Sequence, residues 1–263
     1  VLFRSFEPHP VRFFNPGTEP FRLALPATRA RLFRDCGVDC IFTCAFTEDV
    51  ASMEADEFIN RILVGALGAA HVVVGEDFSF GRGRKGNVAT LKAHEARFKT
   101  TVLNKVLDAS GVVFSSTAIR AALREGRLTD AASMLGRRWE IESEVIHGDK
   151  RGRTLGFPTA NQHIGDLVRI PYGVYAVRVK IEGEDMWRKG AANFGIRPMF
   201  ETPAPLFETH IFDFSDEIYG KAMRVEPVKR LRPELRFENV AALMAQMKED
   251  CIAASAVLES SAE

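Results

Sequence analysis

At Gly136, Arg137 and Arg138 the hydrophobic pattern of this chain changes period, and that change limits what the chain can build. Before it, stretches at helical spacing alternate with short apolar runs. Phe58, Ile62, Leu63 and Ala66 recur three or four residues apart, so residues 53–67 are expected to be helical and to end at Gly68. Residues 28–36 and 88–98 also have helical composition. Residues 40–46, 71–75 and 101–107 are expected strands, the second of them buried and parallel. Strands alternating with helices point to an α/β layer on a parallel sheet. Residues 115–135 read as two short helices, the first starting at Ser116 and Thr117 and broken at Gly126.

After the change, residues 139–146 and 173–181 alternate apolar and polar, and residues 191–194, 207–212 and 221–228 read as further short strands. Turn signals separate them at Gly148, Gly152, Gly165, Gly183, Pro203 and Gly220. Short strands at such spacing suggest an antiparallel barrel or sandwich. A long helix over 237–258 closes the chain. With 263 residues, 46% of them hydrophobic, the chain suffices for one large domain or for two modest ones, each with its own core. The expected domains are 1–137 and 138–263.

Charge narrows the partners. Lys plus Arg equals Asp plus Glu, at 35 each, so no net field draws the chain to nucleic acid or an anionic membrane. No run approaches the ~20 apolar residues of a membrane helix, and no secretory signal opens the sequence. Four cysteines are too few for a disulfide scaffold. Cys36, Cys40 and Cys44 are spaced by four, which is not a zinc pattern, and three buried free thiols are expected in a reducing cytoplasm. The sequence does not set an oligomeric state.

The segment richest in chemistry is Gly156, Phe157, Pro158, Thr159, Ala160 and Asn161. It follows Gly148, Asp149, Lys150, Arg151, Gly152 and Arg153, whose glycines and cations can approach phosphates. Pro158 biases Phe157 toward an extended conformation. A spacing of two then puts Thr159 and Asn161 on one face. A hydroxyl and an amide oxygen side by side suit Mg²⁺ already held by nucleotide phosphates. The competing reading is a surface turn with local hydrogen bonds. Glu208 shares one face of its strand with Leu206 and His210, while Phe207, Thr209 and Ile211 share the other. It reads as a general base for a hydroxyl nucleophile or as a solvated surface carboxylate. Asn193, before a glycine turn, can contact a ligand or form the turn.

The first half carries three weaker signals. Pro8, His9 and Pro10 present one imidazole on a rigid segment. Residues 74–86 place Asp77, Phe80, glycines and cations at the end of a parallel strand, where open α/β sheets bind ligands. They follow no Gly-x-Gly-x-x-Gly pattern. Ser116, Thr117 and, one turn on, Arg120 offer a phosphate seat or an ordinary helix cap.

Six segments in one order resemble the prokaryotic bifunctional riboflavin kinase/FAD synthetase family. They are Phe-x-Pro-His-Pro, Val-Gly-x-Asp-Phe-x-Phe-Gly, Ser-Ser-Thr-x-x-Arg, Gly-Phe-Pro-Thr-Ala-Asn, Asn-x-Gly-x-Arg-Pro and Glu-Thr-His. The resemblance covers nearly the whole chain. It implies a nucleotidyltransferase-like, Rossmann-like α/β N-terminal domain that adenylylates FMN to FAD. It also implies a six-stranded antiparallel barrel with a C-terminal helix that phosphorylates riboflavin with Mg-ATP. Carried over by motif, Thr159 and Asn161 would hold Mg²⁺. Gly148, Lys150, Arg153, Gly156 and Pro158 would meet ATP with them, and Glu208 would be the base. Pro8, His9, Pro10, Asp77 and Phe80 match flavin-side positions of the adenylyltransferase, and Ser116, Thr117 and Arg120 its phosphate side.

Two departures stand out. The family's Gly-x-Phe-Asp-Gly-x-His-x-Gly-His stretch and first strand are missing, and Val1 to Ser5 do not resemble that strand. The expectation is a truncated chain with a working kinase and an impaired adenylyltransferase; the sequence does not set whether residues 1–5 are native. A non-catalytic flavin- or nucleotide-binding module is the alternative. Met199 stands where the family usually has Thr; if that hydroxyl contacts substrate, affinity is expected to drop without loss of activity.

Overall fold

The computed structural model describes residues 1–108, 111–148, 155–196 and 205–260. Lys150, Arg153 and Met199 lie outside the described residues. The chain divides into two compact units, 1–18 with 30–114, and 19–29 with 115–263.

The first unit is α/β and parallel, in two separate pairs of strands. β1 (Leu2–Glu7) runs parallel to β2 (Cys40–Ala45), from Leu2 opposite Cys40 to Glu7 opposite Ala45. A strand was not expected at Val1 to Ser5. It forms because tertiary partners are available: Phe3 stacks on Phe33 at 3.9 Å, and Phe6 meets the Phe46 ring edge at 5.0 Å. β3 (His71–Gly75) and β4 (Lys99–Leu103) form the second pair, also parallel. β3 is not buried as expected, since Val74 is its one buried residue and Val73 is 53% exposed.

Helices α1 (Pro10–Phe14), α3 (Glu48–Ser52), α4 (Ala55–Phe58) and α5 (Val88–Lys92) belong to this unit, as does α2 (Pro26–Asp35) from Ala30 on. The expected helix at 53–67 is present, but its second half, Ile59–Ala66, is a π-helix, and Gly68 follows at φ +56°. The helix expected over 88–98 stops at Lys92. Met53, Phe58, Ile59, Leu63, Val74, Phe80, Leu91 and Phe98 form the core. Among the thiols only Cys44 is buried; Cys36 and Cys40 are exposed. Cys40 opens β2, a strand whose sole buried residue is Cys44, so the expected burial of all three fails.

The second unit is built on a six-stranded antiparallel sheet in the order β5-β10-β7-β8-β9-β6. The strands are β5 (Ile141–Glu144), β6 (Ala160–His163), β7 (Gly173–Ile181), β8 (Arg188–Ile196), β9 (Pro205–Ile211) and β10 (Ala222–Arg232). The two edges approach each other and nearly close a barrel. Ile146 bridges Asn161, and Ile146 N–H donates to Asn161 O at 2.9 Å. Gln162 Nε2 donates to Ser143 O at 2.8 Å, and Ser143 Oγ donates to His163 O at 2.9 Å.

Alternation decides which side chains fill the barrel. Tyr175, Val177, Val179, Phe194, Phe207, Met223 and Val225 are at most 1% exposed. Their neighbours on the other face include the polar Asn193, Glu208 and Arg224 and the small Ala176. Helices α6 (Ser116–Arg124) and α7 (Leu128–Leu135) add Ile119, Ala122, Leu123, Leu128 and Ala131 to the same core. The N-cap of α6 is Ser115, one residue before the expected start, with its Oγ accepting from Ala118 N–H at 3.1 Å. Gly136 ends α7 in the left-handed conformation. The last helix, α8 (Val240–Ser260), lays Ala254 and Leu258 against Ala176 and Ala191. Small residues there let helix and strands approach closely.

Candidate functional site

β9 lies between β6 and β8, and its register sets the site. Glu208 pairs with Asn161 on one side and with Asn193 on the other. Side chains at paired positions of neighbouring strands share a face, so one carboxylate stands between two amides. All three line a cavity of about 520 Å³. Gly148, Pro158, Thr159 and His210 line it too. Strand alternation is why Glu208 is half-buried here while Phe207 and Thr209, on either side of it, are fully buried in the barrel.

Thr159 and Asn161 come together as their spacing requires. Asn161 is 3% exposed, and its Nδ2 donates to Thr159 O at 3.3 Å. That bond commits the N–H end of the amide to the loop. Gly148 packs directly on this amide: a Cβ there would lie 2.4 Å from Asn161 Nδ2. Gly156 has φ +82°, the left-handed region that glycine enters at no steric cost, so the loop can turn there.

A hydroxyl and an amide oxygen are hard, neutral donors. They fit Mg²⁺ that brings its charge balance from nucleotide phosphates, and they are too few to hold the ion alone. Among the described residues no group of three or more His, Cys, Asp or Glu side chains could hold a metal.

The far wall of the cavity belongs to α8 and the segment before it. Phe237, Leu243, Met247 and Cys251 give it an apolar surface that suits a flat ring. Burial pushes the Cys251 thiol up to about 11, so it stays neutral. Asp250 is 6% exposed and forms a two-pronged pair with Arg232, at 2.8 Å to Nε and 2.7 Å to the terminal nitrogen. The pair ties α8 to the end of β10. Sequence reasoning missed this wall. The carboxylate at Asp250, amid the apolar residues of the last helix, was the available signal.

The remaining candidates fall in different units. In the first, His9 caps α1, its Nδ1 accepting from Val11 N–H at 3.2 Å, with Pro8 before it and Pro10 as the first helical residue. Asp77 is exposed in the turn after β3. Phe80 is 7% exposed and packs on Phe58 and Phe78 in the core. In the second unit, Ser116 and Thr117 are exposed at the start of α6. Arg120 Nε donates to Phe21 O at 2.6 Å, and burial lowers the guanidinium pKa.

Comparison with known proteins agrees with this layout. Residues 135–258 match the family model described as riboflavin kinase, and residues 1–118 match that of FAD synthetase. A bifunctional riboflavin kinase/FMN adenylyltransferase of Haemophilus influenzae is 37% identical over 258 residues, covering 97% of this chain and 83% of that protein. The Escherichia coli K12 protein of the same name is 37% identical over 252 residues, covering 95% and 80%. A crystal structure described as a macrolide-efflux protein from Streptococcus pneumoniae superposes with a TM-score of 0.79 at 31% identity, covering 95% of this chain and 81% of its own. Among the described residues of this chain, no helix is long and apolar enough to cross a membrane.

Proposed function

This chain belongs to the bifunctional riboflavin kinase/FMN adenylyltransferase family, and we propose that its barrel phosphorylates riboflavin at the cavity around Glu208. The observation that carries the assignment is the row Asn161, Glu208 and Asn193 across three paired strands, with Thr159 beside it. The substrates are riboflavin and Mg-ATP, and the products are FMN and ADP.

Glu208 accepts the proton of the terminal ribityl hydroxyl. The freed oxygen forms a bond to the γ-phosphorus of ATP, and the bond from that phosphorus to the β,γ-bridging oxygen breaks, releasing ADP. Thr159 and Asn161 would hold Mg²⁺, which would neutralise charge on the phosphates. Gly148, Gly156 and Pro158 shape the loop that meets ATP, and by motif Lys150 and Arg153 are assigned to ATP as well. The apolar wall of α8 takes the flavin ring. Positioning and charge neutralisation carry most of the barrier in such transfers, with the base adding its own part.

The family's second activity transfers AMP from ATP to FMN and belongs with the FAD synthetase match over residues 1–118. We assign Pro8, His9, Pro10, Asp77 and Phe80 to its flavin side, and Ser116, Thr117 and Arg120 to its phosphate side. Both reactions would take place in the cytoplasm, where ATP is available.

The test is Glu208→Gln, which keeps shape and removes the base. Riboflavin, ATP and Mg²⁺ are incubated with each protein and the flavins separated by chromatography. FMN formation is expected to fall about 10²- to 10⁴-fold, with riboflavin affinity unchanged. Turnover at the parent rate would remove Glu208 from the mechanism. Parent protein that binds riboflavin and forms no FMN would favour a binding module.

A further inference from the structure

We propose that His210 is a positioning residue that clamps the Pro158–Thr159 peptide from β9, an inference that rests on the assignment of Thr159 to the nucleotide and its metal. The ladder between β6 and β9 runs from His163 opposite Leu206 to Ala160 opposite Thr209, and there it stops. His210 is the next residue of β9, and Thr159 is the next residue across. Where the backbone pairing ends, a side chain takes over. His210 Nδ1 lies 2.9 Å from Pro158 O, a contact between residues 52 apart in sequence.

A carbonyl oxygen only accepts, so Nδ1 carries the hydrogen and donates. The ring is held between two others: Phe157 meets it edge-on at 5.4 Å, and Phe212 at 5.8 Å. On the other side of Thr159, Asn161 Nδ2 donates to Thr159 O. The carbonyls of both peptides that flank Thr159 are therefore held by side chains. Since each peptide unit is planar, fixing both carbonyls fixes the direction of the Thr159 Cα–Cβ bond and so limits its hydroxyl to the few staggered positions about that bond.

His210 also shares the outer face of β9 with Glu208, and both line the same cavity. One strand thus carries the base and anchors the loop that would hold the phosphates. The spacing between proton acceptor and phosphate is set by two residues of a single strand. A loop held only by its own turn would have no such reference.

The test compares His210→Ala, His210→Asn and His210→Gln. MgADP binding is measured by calorimetry, without turnover, beside kcat and KM for ATP and for riboflavin. Asn places an amide N–H where Nδ1–H lies; Gln carries its N–H one bond further out. Loss of one hydrogen bond is expected to weaken MgADP binding in the Ala variant roughly three- to tenfold. KM for ATP should rise with it, and riboflavin KM should stay unchanged. Asn should restore most of the loss and Gln little.

MgADP affinity at the parent value in His210→Ala would overturn the clamp. So would equal impairment in Ala and Asn, which would make the ring's packing, and not its donor, the cause. Thr159→Ala separates this from the underlying assignment. If Thr159→Ala binds MgADP as the parent does, the nucleotide site itself is misplaced. If Thr159→Ala is impaired and His210→Ala is not, only the clamp falls.

Discussion

A Cβ added at Gly148 would lie 2.4 Å from Asn161 Nδ2, 2.9 Å from its Cγ and 3.2 Å from its Oδ1. The amide cannot simply swing aside, because it is 3% exposed and bonded to Thr159 O. Gly148→Ala is therefore expected to displace the Asn161 side chain, at the about 1–3 kcal/mol typical of overpacking. KM for ATP should rise about tenfold or more, and the melting temperature should drop by a few degrees. An Ala variant with parent KM for ATP would mean that Asn161 does not meet the nucleotide. At this scale the sequence was legible where chemistry and spacing coincide. Thr159, Asn161 and Glu208 stand out as polar residues at fixed offsets from a proline, a glycine loop and apolar neighbours. Gly148 was read as part of a phosphate loop, but its contact with Asn161 spans thirteen positions and has no local signature. Nor does the bond from His210 to Pro158. The exposed Cys36 and Cys40 show the converse error: Cys36 sits in the turn after α2, and Cys40 is exposed at the start of β2 although it shares a face with the buried Cys44, so residue type and face together do not fix burial.

At the scale of elements, α8 does two things: it covers the outer face of the barrel and forms the apolar wall of the cavity. Its attachment depends on small residues at Ala254, Ala176 and Ala191, and on the pair between Asp250 and Arg232. The two side chains are 8% and 17% exposed, so water screens the pair little. Removing one partner of such a pair leaves the other charge buried, at a cost of about 3–5 kcal/mol. Asp250→Ala should lose stability of that order in urea unfolding and should bind riboflavin more weakly, because Met247 and Cys251 lie on the same stretch of helix. A loss within 0.5 kcal/mol would mean that α8 is held by apolar contact alone. The strands of the barrel were readable from period-two alternation, and β7 was readable end to end. β6 was not, because Ala160–His163 is four residues long with Asn161 and Gln162 at its centre. Gln162 is fully buried there and donates to Ser143 O and Met223 O. A buried amide whose Nε2 donates to two backbone carbonyls looks in sequence like a loop residue. The π-helix at Ile59–Ala66 was equally hidden, since its apolar spacing fits an α-helix nearly as well.

For the whole molecule, the question is how much of the chain the barrel needs. The pattern change at Gly136 suggests a domain starting at residue 138, whereas the compact unit that contains the barrel also takes in residues 19–29 and 115–137. The contacts are specific. Val168 N–H donates to Arg22 O at 2.8 Å, and Arg22 pairs with Asp166 at 3.2 Å. Trp139 is 2% exposed, and its Nε1 donates to Leu23 O at 2.8 Å. Ile119, Leu123, Leu128 and Ala131 belong to the core that Trp139 and the barrel share. None of this is visible as hydrophobic period, because Arg22 and Leu23 precede the first turn of α2, carry no regular element pattern and reach the barrel from more than a hundred positions away. All the residues assigned to the kinase lie after 138, so a 138–263 fragment should retain its site while losing part of its core. We expect it to phosphorylate riboflavin at low temperature and to unfold at a lower urea concentration than the full chain. The chain has two tryptophans, Trp139 and Trp187, and Trp187 stands between Arg178 and Arg224, 5.0 Å from each. That stacking survives the cut, so a red shift in fluorescence of the folded fragment would report the uncovering of Trp139. A fragment that emits and unfolds as the full chain does would show that the barrel ends at 138 in energetic terms, with residues 19–29 and the two helices resting on it without supporting it.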